Sequence, residues 1–213
     1  MGDKVHEYGG GSLAIGVDGR LIFSDSRSSA VCVFDPKTET VEVIVRDPLL
    51  RFADFDFHPL NTRWVLAIQE DHTNPKPSDV RNTLVLVDVV DRTVSTLATG
   101  KDFYSQMRFS PDGKQICWLS WDHPEMPFTA SLLRKADFRD GEISNIQEVA
   151  GASSGQSISQ PRWGPDGSLF FSDDSSGFWQ LQVLKPGSSS PEPVKCEGLQ
   201  ETEHAGAEFV LGR

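Results

Sequence analysis

The stretch Phe109-Ser110-Pro111-Asp112-Gly113, followed by the apolar run Ile116 to Trp121, decides the fold because its pattern recurs along the chain. A second full copy is Trp163-Gly164-Pro165-Asp166-Gly167, followed by Leu169 to Asp173. Each copy combines an aromatic residue, a tight turn and a strand. The Asp-Gly pair suits such a turn, because a tight hairpin needs positive φ and glycine adopts it at little cost.

Two looser copies extend the repeat toward the N-terminus. Phe57-His58-Pro59-Leu60-Asn61 precedes one apolar run, and Val17-Asp18-Gly19 precedes another. Aligned on Gly19, Asn61, Gly113 and Gly167, the copies lie 42, 52 and 54 residues apart. A four-stranded propeller blade takes about 40–50 residues. The repeat therefore predicts an all-β fold, a β-propeller of about four to five blades that form a small closed ring or an incomplete one.

The hydrophobic pattern supports this fold, because its period is two rather than 3.6 in most of the chain. Short runs rich in Val, Ile and Phe are bounded by turn residues, which is typical of strands. The predicted strands are 20–24, 30–34, 40–45, 63–69, 82–89, 93–98, 115–120, 168–172 and 179–184. A β-sandwich is the alternative fold, but it does not predict the repetition. We expect residues 1–213 to form a single propeller domain or a propeller fragment.

Charge and composition exclude several classes of function. Asp and Glu total 31 against 20 Lys and Arg, so the formal net charge is −11. Such a chain repels phosphate backbones, and no nucleic-acid partner is expected. No apolar run approaches the roughly 20 residues of a membrane span, so no membrane association is expected either. The N-terminus lacks a secretory signal, and the three widely spaced cysteines suit reduced thiols, which predicts a cytoplasmic protein.

The sequence contains partial matches to motifs for catalysis and nucleotide binding, but the surrounding residues do not support them, and it contains no metal-binding motif. Gly151-Ala152-Ser153-Ser154-Gly155 matches the Gly-x-Ser-x-Gly elbow of serine hydrolases, but the segment after it has a β pattern that ends at Pro161 rather than a helix. No two histidines lie four residues apart and no Cys-x-x-Cys occurs, so no metal is predicted. Gly11 and Gly16 have the spacing of a phosphate loop, but the required Lys is missing. We therefore predict no catalytic residue and no cofactor.

Acidic residues beside histidines are the candidate ligand-facing or substrate-facing residues. Asp71-His72 and Asp122-His123 each follow a repeat strand by a similar distance. A neighbouring carboxylate raises the pKa of an imidazole and fixes its tautomer, which suits binding of a polar ligand. Glu7 and Tyr8 complete the candidate set. The alternative is that these side chains form local hydrogen bonds within their own loops.

Three stretches of the chain resemble the propeller of the prolyl oligopeptidase family, in its dipeptidyl-aminopeptidase and acylaminoacyl-peptidase branch. They are Val5-His6-Glu7-Tyr8-Gly9-Gly10-Gly11, residues 102–124 with Ser110-Pro111-Asp112-Gly113 and Trp121-Asp122-His123-Pro124, and residues 157–167 continued by Gly177-Phe178-Trp179-Gln180-Leu181. The chain departs from the family at Glu125 to Thr129 and at Asp173-Asp174-Ser175. Family members continue into an α/β-hydrolase domain, whereas this sequence ends at Arg213. The resemblance implies a propeller without the domain that performs the chemistry.

Three hypotheses for function remain open at this point. The first is a non-catalytic propeller that gates access of substrates to a serine peptidase, whose hydrolase domain belongs to another chain or to a longer gene product. The second is a stand-alone propeller that binds or transforms a small molecule in a biosynthetic pathway, because propellers host many functions. The third is a structural or interaction protein, such as an oligomer that covers its open edge. The expected partners are accordingly a hydrolase domain, a second propeller chain, or a small-molecule or peptide ligand.

Overall fold

In the described part of the chain, four four-stranded antiparallel sheets account for almost all of the regular structure, which confirms the all-β propeller-type prediction. A computed structural model describes residues 3–74, 76–151, 155–195, 203–206 and 211. The first sheet contains β1 (Leu13–Ile15), β2 (Leu21–Asp25), β3 (Ala30–Asp35) and β4 (Thr40–Arg46). The second contains β5 (Leu50–Phe57), β6 (Trp64–Asp71), β7 (Arg81–Asp88) and β8 (Thr93–Ala98).

The other two sheets repeat the same plan, with each strand beside the next in sequence. The third sheet contains β9 (Phe103–Phe109), β10 (Gln115–Trp121), β11 (Leu132–Arg139) and β12 (Glu142–Ala150). The fourth contains β13 (Ile158–Trp163), β14 (Leu169–Asp173), β15 (Gln180–Leu184) and β16 (Glu192–Pro193). Two short 3-10 turns cover Val5–Glu7 and Pro77–Asp79. No helix among the described residues has the length and apolar character that crossing a membrane requires.

The chain divides into two compact units, residues 1–107 with 210–213 and residues 108–209, and the boundary falls within β9. The core of the first unit lies between the first and second sheets and contains Ile22, Val31, Val33, Ile44, Phe52, Phe55, Phe57, Val65, Ala67, Val85, Val87 and Val89. The core of the second unit contains Cys117, Leu119, Leu133, Ile158, Leu169, Phe171 and Leu184. The expectation of one domain over residues 1–213 stays a prediction.

The Asp-Gly turns have the predicted geometry. Gly19, Gly113 and Gly167 have φ values of 87°, 69° and 83°. Each of these glycines donates its backbone N–H to the carbonyl three residues earlier, at 2.8 to 3.0 Å. In the looser copy, the His58 ring replaces this arrangement, because its Nδ1 accepts the backbone N–H groups of Leu60 and Asn61 at 3.2 and 3.0 Å.

The first strands of the second, third and fourth sheets share a residue at positive φ that the sequence pattern did not reveal. Asp54, Gln106 and Gln160 each have a φ of 54°, and each lies three residues before the aromatic residue that opens the turn. In β5 and β13 the pairing register with the next strand shifts at this point. Within the first unit, Asp54 Oδ2 accepts the Gln106 backbone N–H at 2.5 Å, so these two positions of positive φ are hydrogen-bonded to each other.

Candidate functional site

The N-terminal 3-10 turn sets the position of the candidate site in the first unit. Val5 is fully buried and anchors the turn, and its carbonyl accepts the Gly9 N–H at 3.0 Å. The glycines after the turn allow close backbone approach. A Cβ on Gly11, whose φ is 62°, would lie 2.9 Å from the backbone N and Cα of Asp54. The turn is therefore held against the start of the second sheet.

Glu70, near the end of β6, is the centre of the site. The residue is 3% exposed, and its carboxylate has three partners. Oε1 accepts the backbone N–H of His6 at 3.0 Å, and Oε2 lies 2.7 Å from His72 Nε2. Oε2 also lies 3.4 Å from Arg51 Nη1. This buried carboxylate thus ties the N-terminal turn to β5 and to the loop after β6.

Arg51 connects the buried carboxylate to the surface. Its Nη1 donates to Glu7 Oε1 and to the Lys4 carbonyl, both at 3.0 Å. The Glu7 side chain is 75% exposed, whereas that of Glu70 is 5% exposed. A guanidinium between two carboxylates, with the His72 imidazole beside them, forms a polar surface that can exchange hydrogen bonds with a charged or polar ligand. We call Glu7, Arg51, Glu70 and His72 the charged cluster.

Two ionisable groups lie behind the charged cluster. Burial, together with the smaller effect of the negative charge of Glu70, raises the pKa of Asp3 to about 6. Asp3 Oδ2 is buried without a hydrogen-bond partner, whereas Oδ1 accepts the Val5 N–H at 3.2 Å. Burial lowers the pKa of His6, although the charges of Glu70 and Asp54 oppose this effect. At neutral pH, His6 is therefore an uncharged ring, which packs edge-on against Phe103 with centroids 5.2 Å apart.

The structure brings together only some of the residues singled out in the sequence. Glu7 and His72 both belong to the charged cluster. Tyr8 is 63% exposed at the end of the turn. Asp71 faces its own loop, where Oδ1 accepts the Thr73 hydroxyl at 2.6 Å and the Thr73 N–H at 2.8 Å. These bonds lower the pKa of Asp71, as expected for a local loop cap.

The second acidic–histidine pair lies in the second unit, just after β10. Asp122 is half-buried, His123 is exposed, and the Asp122 carbonyl accepts the Glu125 N–H at 2.9 Å. Whether this pair contacts a ligand stays a prediction.

Arg51 and Glu70 are the residues of the site that sequence reasoning missed. They are direct cross-strand partners in β5 and β6. At the turn between β5 and β6, Phe57 pairs with Val65. If both strands were regular, moving away from the turn by the same number of residues on each strand would place Arg51 opposite Asp71. The bulge at Asp54 shifts the register by one residue and brings Glu70 opposite Arg51 instead.

The candidate nucleophiles and metal ligands of the sequence do not contribute to the charged cluster among the described residues. Ser153, the serine of the hydrolase-like motif, lies outside the described residues, as does Cys196. The described residues after Gly155 lead into β13 rather than a helix. Cys32 and Cys117 are buried thiols that take part in no disulfide. Across the described ranges, no three His, Cys, Asp or Glu side chains are placed to hold a metal ion.

A groove of about 850 Å³ lies in the second unit between the turns of the third and fourth sheets. Phe138, Trp163 and Leu184 supply apolar surface, and Lys135 and Lys185 lie on the same groove. Several of its carboxylates are held locally, such as that of Asp166, which accepts the Ser168 hydroxyl at 2.9 Å. The groove has the size of a small-molecule pocket, for which about 300–1,000 Å³ is usual.

Solved structures of two peptidases are similar to this chain. A puromycin-hydrolysing peptidase from Mycobacterium tuberculosis is 25% identical with a TM-score of 0.84, over 99% of this chain and 34% of the peptidase. A puromycin hydrolase is 29% identical with a TM-score of 0.76, over 92% of this chain and 32% of the hydrolase. Prolyl endopeptidase, at 12% identity and a TM-score of 0.63, shares the fold.

No protein-family model matches the sequence, and no curated protein matches it significantly. The evidence for a family is therefore the structural similarity together with the repeat motifs. The chain spans about one third of the length of the peptidases to which it is similar. These peptidases belong to the prolyl oligopeptidase family, and this chain has the fold of their propeller domain.

Proposed function

We propose that the chain is a non-catalytic propeller that controls access of substrates to a serine-hydrolase domain of the prolyl oligopeptidase type. The observation that carries the proposal is the similarity to the two puromycin-hydrolysing enzymes over 92–99% of this chain but only 32–34% of theirs. The hydrolase domain would be part of a longer polypeptide or of a separate chain. Because the two enzymes hydrolyse puromycin, an aminoacyl compound is the substrate class to test first.

The charged cluster supports a contact with substrate or with the hydrolase domain. Glu70 and Arg51 hold each other and the N-terminal turn in place, whereas Glu7 and His72 reach solvent, with His72 about 20% exposed. A site is suited to specific recognition when buried residues hold it rigidly and polar groups remain accessible to a ligand. We therefore place the ligand-facing residues of the first unit at Glu7, Tyr8 and His72 rather than at Asp71.

The non-catalytic part of the proposal is tested with the purified chain. We expect no hydrolysis of puromycin or of aminoacyl-anilide reporters, and no labelling by a fluorophosphonate probe directed at reactive serines. Ser153→Ala is the matched control. Hydrolysis or labelling that Ser153→Ala abolishes would show that the chain itself carries the nucleophile and would contradict the proposal.

A second candidate function, binding of a small molecule by the propeller alone, is favoured by the groove of the second unit. Its volume and its combination of aromatic and cationic side chains suit an anionic aromatic ligand. A thermal-shift screen of carboxylate and phosphate metabolites tests this function. A stabilising compound whose effect disappears in Lys135→Glu but persists in Lys37→Glu, a control on a turn in the first unit, would support it. A screen without any such compound would count against it.

A further inference from the structure

The groove of the second unit lies between two facing sheet surfaces, with the third sheet on one side and the fourth on the other. On the third sheet, Lys135 pairs across strands with Cys117, which belongs to the core shared with the fourth sheet. Cross-strand partners project from the same face of a sheet. Lys135 therefore projects toward the fourth sheet. The opposite wall is the row Trp163, Leu169 and Leu184, of which Trp163 and Leu184 line the groove.

Lys135 stands at a position that an apolar side chain fills in the first unit. Ile22 and Cys117 are equivalent, because each follows by two residues the residue whose carbonyl closes the hairpin turn. Their cross-strand partners are Val33 and Lys135. Val33 is 6% exposed and belongs to the core between the first and second sheets. A lysine thus replaces a core valine, and such departures from the core pattern are expected at functional sites.

The turns of the first unit are joined by side chains that cross from one sheet to the next. Arg20 Nη2 donates to the Thr62 hydroxyl at 2.8 Å and to the Thr62 carbonyl at 3.1 Å, and this hydroxyl donates to Asp18 Oδ2 at 2.7 Å. In the second unit, Gln115 takes the place of Arg20 in the hairpin, and its amide donates to Asp137 of its own sheet at 3.1 Å. The crossing bond is thus replaced by a bond within the third sheet, and the junction stays open as the groove.

The charge of the groove is opposite in sign to that of the whole chain. Its cationic side chains are Lys114, Lys135, Arg139 and Lys185. Its carboxylates are Asp112, Asp137 and Asp166. Local hydrogen bonds lower the pKa of all three carboxyl groups, so they are ionised at neutral pH. Four cations against three carboxylates give the groove a formal charge of +1, whereas the chain carries −11.

The cations of the groove differ in whether a carboxylate already occupies them. Lys185 Nζ lies 2.5 Å from Glu192 Oε1, and Arg139 Nε lies 3.4 Å from Asp140 Oδ2. Within the described ranges, Lys114 and Lys135 have no carboxylate oxygen within 4 Å. Lys114 is exposed, whereas Lys135 is half-buried on the inner wall. The charge of Lys135 is therefore available to an anion bound inside the groove.

Trp163 supplies a fixed aromatic surface on the other wall. Its Nε1 donates to the Arg108 carbonyl at 3.2 Å, and its ring packs against the core of the second unit. A ring held in this way offers a stacking surface at little cost in conformational entropy. The groove of about 850 Å³ is near the upper end of the range for small-molecule sites, so it has room for two fused rings.

We propose that the groove binds a singly charged aromatic carboxylate, with the carboxylate at Lys135 and the ring against Trp163. The proposal specifies the ligand of the second candidate function and rests on that function. A groove with a formal charge of +1 suits one negative charge. Each further negative charge on the ligand would be opposed by the three carboxylates of the groove and by the net charge of the chain.

Isothermal titration calorimetry of the purified chain with three matched ligands tests the proposal. They are 2-naphthylacetate, its neutral amide 2-naphthylacetamide, and 2-naphthyl phosphate, which carries nearly two negative charges at neutral pH. We expect 2-naphthylacetate to bind at one site with a dissociation constant of about 0.1–1 mM, as is usual for a ligand of this size. The amide should bind at least about fivefold more weakly because it lacks the charge, and the phosphate should bind no more tightly than the carboxylate.

A substitution of Lys135 locates the site. Lys135→Met keeps the aliphatic stem and removes the charge, so it should weaken 2-naphthylacetate by at least about fivefold and change the affinity for the amide by less than about twofold. Lys37→Met, on an exposed turn of the first unit, is the matched control and should change neither affinity. Circular dichroism verifies that both variants are folded. The comparison of the three ligands uses the unaltered chain, so it decides the proposal even if Lys135→Met unfolds.

The outcomes separate this proposal from the function on which it rests. An amide that binds as tightly as the carboxylate, or a phosphate that binds more tightly, overturns the proposal. Equal weakening by Lys135→Met and Lys37→Met also overturns it. If 2-naphthylacetate does not bind but another compound stabilises the chain in a manner that depends on Lys135, the proposal is wrong and the second candidate function stands. If no compound of either kind binds, both are wrong.

Discussion

Replacing Asp3 with asparagine is expected to stabilise the protein at neutral pH and to leave its stability nearly unchanged in acid. Asp3 Oδ2 is buried without a hydrogen-bond partner, and burial raises the pKa of the carboxyl from 3.8 to about 6. Above that pH the carboxylate is negatively charged, although its partial burial favours the neutral form. Asparagine has the same shape, is neutral at every pH, and can keep the Oδ1 bond to the Val5 N–H.

The direction in which stability changes with pH follows from the number of protons that the folded and unfolded states bind. Because the pKa of Asp3 is higher in the folded state, the folded state binds more protons, and this contribution to stability is lost as pH rises from about 3.8 to about 6. A shift of about two pKa units corresponds to about 3 kcal/mol for a fully buried group. Asp3 is only partly buried, so solvent screening reduces the expected effect to about 1–2 kcal/mol. For a chain of this length that is about 3–6 °C in Tm.

The assay is thermal unfolding of the wild type and Asp3→Asn at several pH values between 4 and 8. The difference in Tm between the two proteins should be near zero at pH 4, grow through pH 5–6, and become constant above about pH 7. Asp35→Asn is the control, because Asp35 Oδ1 makes the same local bond, to the Lys37 N–H, on an exposed turn. An equal difference at pH 4 and pH 8, or a less stable Asp3→Asn at pH 8, would refute the reasoning.

Three further substitutions test the packing of the site and the core by urea or thermal unfolding. Glu70→Gln should cost about 1–3 kcal/mol, because the buried carboxylate loses its ion pair with an arginine, whereas Glu148→Gln, in an exposed pair, should cost less than about 0.5 kcal/mol. Equal costs would contradict the central role of Glu70. Gly11→Ala should cost more than about 2 kcal/mol, since its Cβ meets the backbone of the second sheet, while Gly100→Ala, also at positive φ but in open space, should cost only about 1 kcal/mol. A smaller loss in Gly11→Ala than in Gly100→Ala would show that the close approach does not exist. Trp118→Ala should cost about 3–5 kcal/mol because the side chain is 1% exposed, and a loss below 1 kcal/mol would place it outside the core.

The fold was predictable from the sequence because the repeat and the turn chemistry pointed the same way. The predicted strands correspond to β2, β3, β4, β6, β7, β8, β10, β14 and β15. The positive φ values of the turn glycines were also foreseen, since a tight hairpin admits few other residues. Each of these strands has either a regular alternation of apolar and polar residues or a continuous apolar run, and both patterns predict a strand.

The first strands of the second and third sheets were missed for a physical reason. β5 and β9 each contain a residue at positive φ, which interrupts the regular alternation of the strand. For β13 the sequence predicted a β segment, but one that ends at Pro161 rather than at Trp163. β5 has four consecutive buried residues, Phe52 to Phe55, so its burial does not alternate between the two faces. β11 and β12 were missed because charged and polar residues dominate them and their pairing has register shifts.

The same bulge explains why the candidate site was predicted only in part. The pairs Asp71-His72 and Asp122-His123 stood out as neighbours in sequence, but contact in a sheet depends on register. The shift at Asp54 places Glu70 rather than Asp71 opposite Arg51. Asp71 instead bonds to Thr73 in its own loop. Burial of Glu70 and exposure of Glu7 likewise depend on the N-terminal turn, whose positive φ values at His6 and Glu7 are not encoded by a recognisable motif.

The most direct test of the proposed function uses the endogenous protein from its native source. The protein is isolated with an antibody to this chain under non-denaturing conditions, treated with a fluorophosphonate probe, and measured by intact mass. We predict a labelled serine hydrolase, either in the same polypeptide, with a mass several-fold above 23.5 kDa, or as a stoichiometric partner chain. A polypeptide of about 23.5 kDa with no labelled species bound to it would contradict the proposal that this propeller serves a peptidase.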